Sequence, residues 1–170
     1  MAKHKFQSNL QAIDDGSDPS LSVENENRDE IAEALSMAVA DSYVLYAKTL
    51  GVHWNVQGPN FYGLHTLTDM QYNEIHTAAD AIAERIRALG KLAPTGFNAF
   101  RELTVINNDA PHQPTDVMIA ELAEDNETVA KRMREFAELA DELGDLFSHD
   151  MLVARIGAHE NNAWMLRSSL

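Results

Sequence analysis

Between Ile119 and Leu143, eight residues recur three or four positions apart: Ile119, Leu122, Asn126, Val129, Met133, Phe136, Ala140 and Leu143. That spacing sets all of them along one side of an α-helix and does not suit a strand, whose inward residues alternate. An apolar stripe of this length has to be buried against other helices, which commits the chain to helix-on-helix packing. Asn126 is the one polar member of the seam and calls for a hydrogen-bond partner inside it.

The remaining segments read the same way. From Asp29 the positions Ile31, Ala34, Leu35, Ala38, Val39, Leu45 and Tyr46 predict a first long helix that ends near His53-Trp54. Gly58-Pro59-Asn60 is a break, with Asn60 in place to cap a second helix that Gly90 closes. A connection of about 25 residues follows, long for a compact domain, with Pro94, Gly96, Pro111 and Pro114 and a short helix expected within Phe97 to Ile106. Pro114-Thr115-Asp116 opens the third long helix and Gly144 ends it. A fourth starts at Asp145, with Phe147, Met151, Ala154, Ala158 and Met165 expected on its inward face. The architecture predicted is all-α: one four-helix bundle over residues 28–170, with a short extra helix between helices two and three. Residues 1–27, centred on Asp14-Asp15-Gly16-Ser17-Asp18-Pro19, are expected to form a flexible tail.

A chain of 170 residues with 45% apolar content suits one domain with a sizeable core. No apolar run reaches the ~18 residues of a membrane span, and the N-terminus lacks a secretory apolar stretch. Cysteine is absent, so thiolate ligands and thiol nucleophiles are excluded. These features favour the cytoplasm. The formal net charge of −14 suits attraction of cations and opposes broad contact with phosphate backbones.

The chemistry-bearing residues gather at the first break and along the second helix. His53, His65, Asp69, Asp80 and Glu84 are all good ligands for a divalent metal. On one helix, Asp69, Asp80 and Glu84 lie at about 40°, 60° and 100° from His65, in one stripe. Leu64, Leu67, Ile75, Ala78, Ile82, Ile86 and Leu89 make a separate apolar stripe roughly opposite. Asp69 and Asp80 are roughly 16 Å apart along the axis, too far for one metal site to use both. A di-iron site inside a bundle uses Glu-x-x-His pairs projecting inward, and this chain has none. Either the two pairs serve different sites or a second copy of the chain brings its own pair alongside, and the arrangement suggests a site on the outer face of the monomer, completed by another subunit.

His53-Trp54-Asn55, Gly58, Phe61 and Leu64-His65, followed by Asp69, Asp80 and Glu84, resemble the ferroxidase signature of the Dps family (DNA-binding protein from starved cells), the mini-ferritins. The resemblance covers about Asp29 to Leu170, and the offsets of 12, 16, 27 and 31 from His53 agree with the family pattern. It implies a ferritin-like bundle, a ferroxidase, and twelve subunits assembled from dimers into a hollow shell. Each site would take one or two iron ions, held by His53, His65 and Asp69 of one chain and Asp80 and Glu84 of the other. Hydrogen peroxide would be the favoured oxidant, Fe(III) mineral would be stored inside, and DNA would be spared oxidative damage. Trp54 would stand beside the iron and take an electron during oxidation, against the plainer reading of an aromatic anchor at a helix end. Asp141, Asp145 and Asp150 would line an acidic pore, against a reading in which Asp145 caps the fourth helix and the others face water.

Two other readings stand beside this one. A nucleoid-associated protein that compacts DNA would need clustered positive charge. Residues 1–27 instead set Lys3, Lys5 and the later Glu and Asp residues at a net negative balance, and no basic extension follows Arg167. Weak or absent DNA binding is therefore expected. A bundle in which the His and Asp residues serve only assembly is the third reading.

Overall fold

The computed structural model describes residues 21, 23–107 and 113–170. The expected tail as far as Ser20, and Pro111 in the long connection, lie outside the described residues. Four long helices and one short one follow in order: α1 (Asn25–Asn55), α2 (Phe61–Ala88), α3 (Phe97–Leu103), α4 (Thr115–Glu142) and α5 (Leu146–Arg167). Among the described residues there is no β-strand. The helices α1 and α2 form one antiparallel hairpin and α4 and α5 another. The long connection carries α3 and joins the hairpins, with α1 against α4 and α2 against α5. The predicted all-α bundle with its extra short helix is the observed one.

Helix α1 begins at Asn25, earlier than the apolar periodicity indicates. Its start is held by polar contacts that a hydropathy pattern does not register: Asn27 Nδ2 donates to the Leu143 carbonyl at 3.2 Å, and Arg28 Nε to the Val23 carbonyl at 3.2 Å. The helix buries more than one face, because α2, α3 and α4 all pack on it. Its buried hydroxyls, Ser36, Ser42 and Thr49, each donate to the carbonyl four residues back, at 2.7–2.8 Å.

The glycine stops act as expected. Past α2, Gly90 takes φ +83° while its N–H donates to the Arg87 carbonyl and that of Lys91 to the Ile86 carbonyl. Past α4, Gly144 takes φ +78° and the same pair of bonds runs from Gly144 to Asp141 and from Asp145 to Ala140. Both are Schellman ends, which satisfy carbonyls the helix cannot. Asn60 sits at the N-cap of α2, but its side chain makes no capping bond. The turn closes through Phe61 N to the Gly58 carbonyl at 3.1 Å, with Gly58 at φ +100°.

The seam of α4 is inward from Ile119 to Ala140, and Asn126 finds its partner in the buried His159 ring, Nδ1 to Oδ1 at 2.9 Å. On α5 the expected face is wrong. Phe147 and Ala154 are exposed and Met151, Ala158 and Met165 only half-buried. The helix turns Ser148, Leu152, Arg155, Ile156, His159, Asn162, Ala163 and Leu166 inward. Half of that face is polar, with Ser148, Arg155 and His159 hydrogen-bonded to other helices, so a search for apolar spacing selects a neighbouring side.

Candidate metal centre

Gly58 folds the chain back so that the last turn of α1 lies against the first of α2. This brings His53 and His65 together with ring centroids 3.7 Å apart and planes 19° from parallel. Each ring bonds the other residue's backbone: His53 Nδ1 to the His65 carbonyl and His65 Nδ1 to the His53 carbonyl, both at 2.9 Å. A carbonyl only accepts, so both Nδ1 atoms carry the proton, which leaves Nε2 as the nitrogen through which each neutral ring could bind a metal. This is the state in which an imidazole binds a metal, with its orientation fixed from behind.

Asp69 follows His65 by one turn of α2. Its Oδ1 accepts a 2.7 Å hydrogen bond from the Tyr72 hydroxyl. That bond, with burial second, raises the Tyr72 phenol above its ordinary pKa. Asp80 and Glu84 are exposed, further along the same stripe of α2. The core stripe opposite them is as expected at Leu64, Ile75, Ile82, Ile86 and Leu89, joined by the buried polar pair Thr68 and Gln71. Among the described residues, no three histidine or acidic side chains converge as a metal-holding group. One chain brings His53 and His65 together, has Asp69 one turn further along α2, and holds Asp80 and Glu84 farther along the same stripe. Imidazole nitrogens and carboxylate oxygens together suit Fe(II), Mn(II) or Zn(II).

Trp54 is 69% exposed beside His53. Among the described residues, the rings in contact with His53 are His65 and Tyr72. Asp141 and Asp150 face solvent. Asp145 does not: it is 1% exposed, ion-paired to Arg85 Nη2 at 2.8 Å, and caps α5 by accepting from the Ser148 amide at 3.0 Å and the Ser148 hydroxyl at 2.5 Å. Burial works to raise its pKa, but Arg85 and Ser148 outweigh that and hold it below the ordinary aspartate value. Within the single chain Asp145 is thus turned inward rather than toward solvent, and the capping role is the one the structure shows.

Two groups went unread in the sequence. One is a polar network that runs from the surface into the bundle: exposed Glu74 of α2 paired with buried Arg155 of α5, and Arg155 beside His159. The other is Tyr72 with Tyr46 and Tyr43. Their signal was present: Tyr43, Tyr46 and His53 share a stripe on α1, and Asp69, Tyr72, His76 and Asp80 share one on α2.

Residues 32–170 match the ferritin-like domain family. The chain is 32% identical to DNA protection during starvation protein 2 of Bacillus anthracis, over 83% of this chain and 97% of that protein. It is 35% identical to an uncharacterized low temperature-induced protein of Nostoc, over 87% and 84%. Among solved structures, the tetragonal form of Mycobacterium smegmatis Dps superposes with a TM-score of 0.85 at 28% identity, covering 91% of this chain and 93% of that one. The bundle, the small helix between its hairpins and these likenesses agree, and the chain belongs to the ferritin-like family as a Dps mini-ferritin.

Proposed function

We propose that this protein oxidises and stores iron, at sites that two copies of the chain build together. The observation that carries the reading is the reciprocal lock between His53 and His65, which fixes both rings through Nδ1 and leaves each Nε2 as the nitrogen for a metal, with Asp69 one turn further along α2. Support comes also from the family and from a relative whose name is a DNA protection protein.

In this reading the second helices of two subunits cross antiparallel. His53, His65 and Asp69 face Asp80 and Glu84 of the partner subunit. The imidazoles retain Fe(II), and the hard carboxylate oxygens favour the Fe(III) product. Two Fe(II) ions each give one electron to one hydrogen peroxide. The O–O bond breaks, two protons are taken up and two waters form. Fe(III) then passes into the interior of a shell, assembled from dimers into a dodecamer, and is stored as mineral. Removing Fe(II) and peroxide together denies DNA the hydroxyl radical they generate. Asp141 and Asp150 are the remaining pore candidates.

The test mixes two defective chains, one with His65→Ala and Asp69→Ala, the other with Asp80→Ala and Glu84→Ala. Each alone should assemble and lack fast peroxide-driven Fe(II) oxidation. Refolded together, each mixed dimer holds one intact site, and oxidation should partly return. Mixed assemblies as inactive as their parents would overturn the shared site.

A further inference from the structure

Ring contacts continue from His53 across the surface that α1 and α2 share. Tyr72 stands edge-on to His53, with centroids 5.2 Å apart. Tyr46 stands edge-on to Tyr72 at 6.0 Å, and Tyr43 edge-on to Tyr46 at 6.5 Å. Phe100 of α3 stacks on Tyr43 at 4.7 Å. His76 sits against both Tyr46 and Tyr43, at 5.2 Å and 6.3 Å. Three phenols thus follow one another in contact, and the first touches a candidate ligand ring.

Packing would be served as well by phenylalanine. What packing does not require is the Tyr72 hydroxyl directed at Asp69 Oδ1 at 2.7 Å. A phenol that loses an electron becomes a strong acid. With an acceptor already hydrogen-bonded, electron and proton leave together and a neutral radical is left. Trp54, by contrast, is largely exposed and makes no ring contact with His53 or His65.

We propose that Tyr72 is a one-electron donor to the metal site, and that Tyr46 and Tyr43 carry the resulting radical away from it toward α3. The inference rests on the iron-oxidising reading above. With two Fe(II) bound, peroxide draws both its electrons from iron. With only one bound, an electron is missing, and peroxide would release a hydroxyl radical. Tyr72 supplies that electron. Fe(II) and Tyr72 each give one electron, and the O–O bond breaks. The phenolic proton leaves through Asp69, one more proton is taken from solvent, and the products are Fe(III), two waters and a neutral tyrosyl radical. Each further hop moves one electron and one proton, restoring the phenol left behind.

The test uses assembled protein loaded with less than one Fe(II) per site, mixed with hydrogen peroxide and freeze-quenched for electron paramagnetic resonance. The wild type should give a tyrosyl signal whose hyperfine structure narrows when the protein is grown on ring-deuterated tyrosine. Tyr72→Phe should lose that signal several-fold and release several-fold more spin-trapped hydroxyl radical. Tyr46→Phe should keep a signal but change its line shape, since the radical is confined to Tyr72. Trp54→Phe should leave the tyrosyl signal in place. Circular dichroism and assembly mass verify each variant. A wild type that oxidises Fe(II) with peroxide yet gives no tyrosyl signal overturns the relay, as does an equal signal in Tyr72→Phe or a signal lost only in Trp54→Phe. A wild type that does not speed Fe(II) oxidation at all overturns the iron-oxidising reading, which the optical record of the same samples separates from failure of the relay.

Discussion

His159 is fully buried, and burial, with the Arg155 guanidinium second, lowers its pKa to about 3. Its folded value lies below the ordinary 6.5, so between these values the unfolded chain binds a proton that the native one refuses. Stability from this residue is present above pH 6.5 and is lost as the pH falls toward 3, by up to about 1.4 kcal/mol per pH unit. Urea unfolding at a series of pH values should show a flatter curve between pH 6 and pH 4 for His159→Gln than for the wild type. Parallel curves would mean that His159 does not couple folding to protons. The sequence gives Asn126 away as a buried polar residue in an apolar seam, but not its partner. That partner sits 33 positions on, in a different helix, and no local pattern links the two. The candidate metal ligands are more legible, because helix geometry alone aligns His65, Asp69, Asp80 and Glu84. The lock between His53 and His65 is not, since it depends on how tightly the turn at Gly58 closes.

At the scale of elements, three helices meet at Asp145. It follows the Schellman end of α4, caps α5 and pairs with Arg85 of α2. Asp145→Ala removes the cap and leaves a nearly buried guanidinium unpaired, which should cost about 3 kcal/mol of stability in chemical denaturation. Asp145→Asn keeps an oxygen for the cap and should cost less. A neutral Asp145→Ala would show that the joint is not held this way. Helix ends were readable here because Gly90, Gly144 and Asp145 act through backbone conformation and near neighbours. The inward face of α5 was not. Ser148, Arg155 and His159 are buried because Arg85, Glu74 and Asn126 wait for them on other helices, and hydropathy scores those positions as surface. The docking of α3 has the same character. Buried Asp41 of α1 accepts from the Thr104 hydroxyl at 2.9 Å and the Val105 amide at 2.8 Å, and pairs with Arg132 of α4.

For the whole molecule, the charge of −14 sets the expectation for nucleic acid. A gel-shift assay with plasmid DNA at physiological ionic strength and no added divalent cation should show weak or no complex. A tight complex would reveal a basic surface that only the assembly presents. If the two candidate ligand sets along α2 are shared between subunits as proposed, their separation has a further consequence, for inheritance of damage rather than for chemistry. Suppose a cell makes normal and defective chains together and they pair at random. A chain spoiled at Asp80 and Glu84 alone ruins one centre of a mixed dimer and spares the other, so the intact centres fall in proportion to the normal fraction. A chain spoiled in both sets ruins both centres of every dimer it enters, and the intact centres fall with the square of that fraction. Titrating mutant against wild-type subunits during refolding, and reading Fe(II) oxidation, should give a straight line in the first case and a parabola in the second. Two straight lines would mean that each chain keeps its ligands to itself. On the shared arrangement, the doubly damaged allele is the one that poisons its partner.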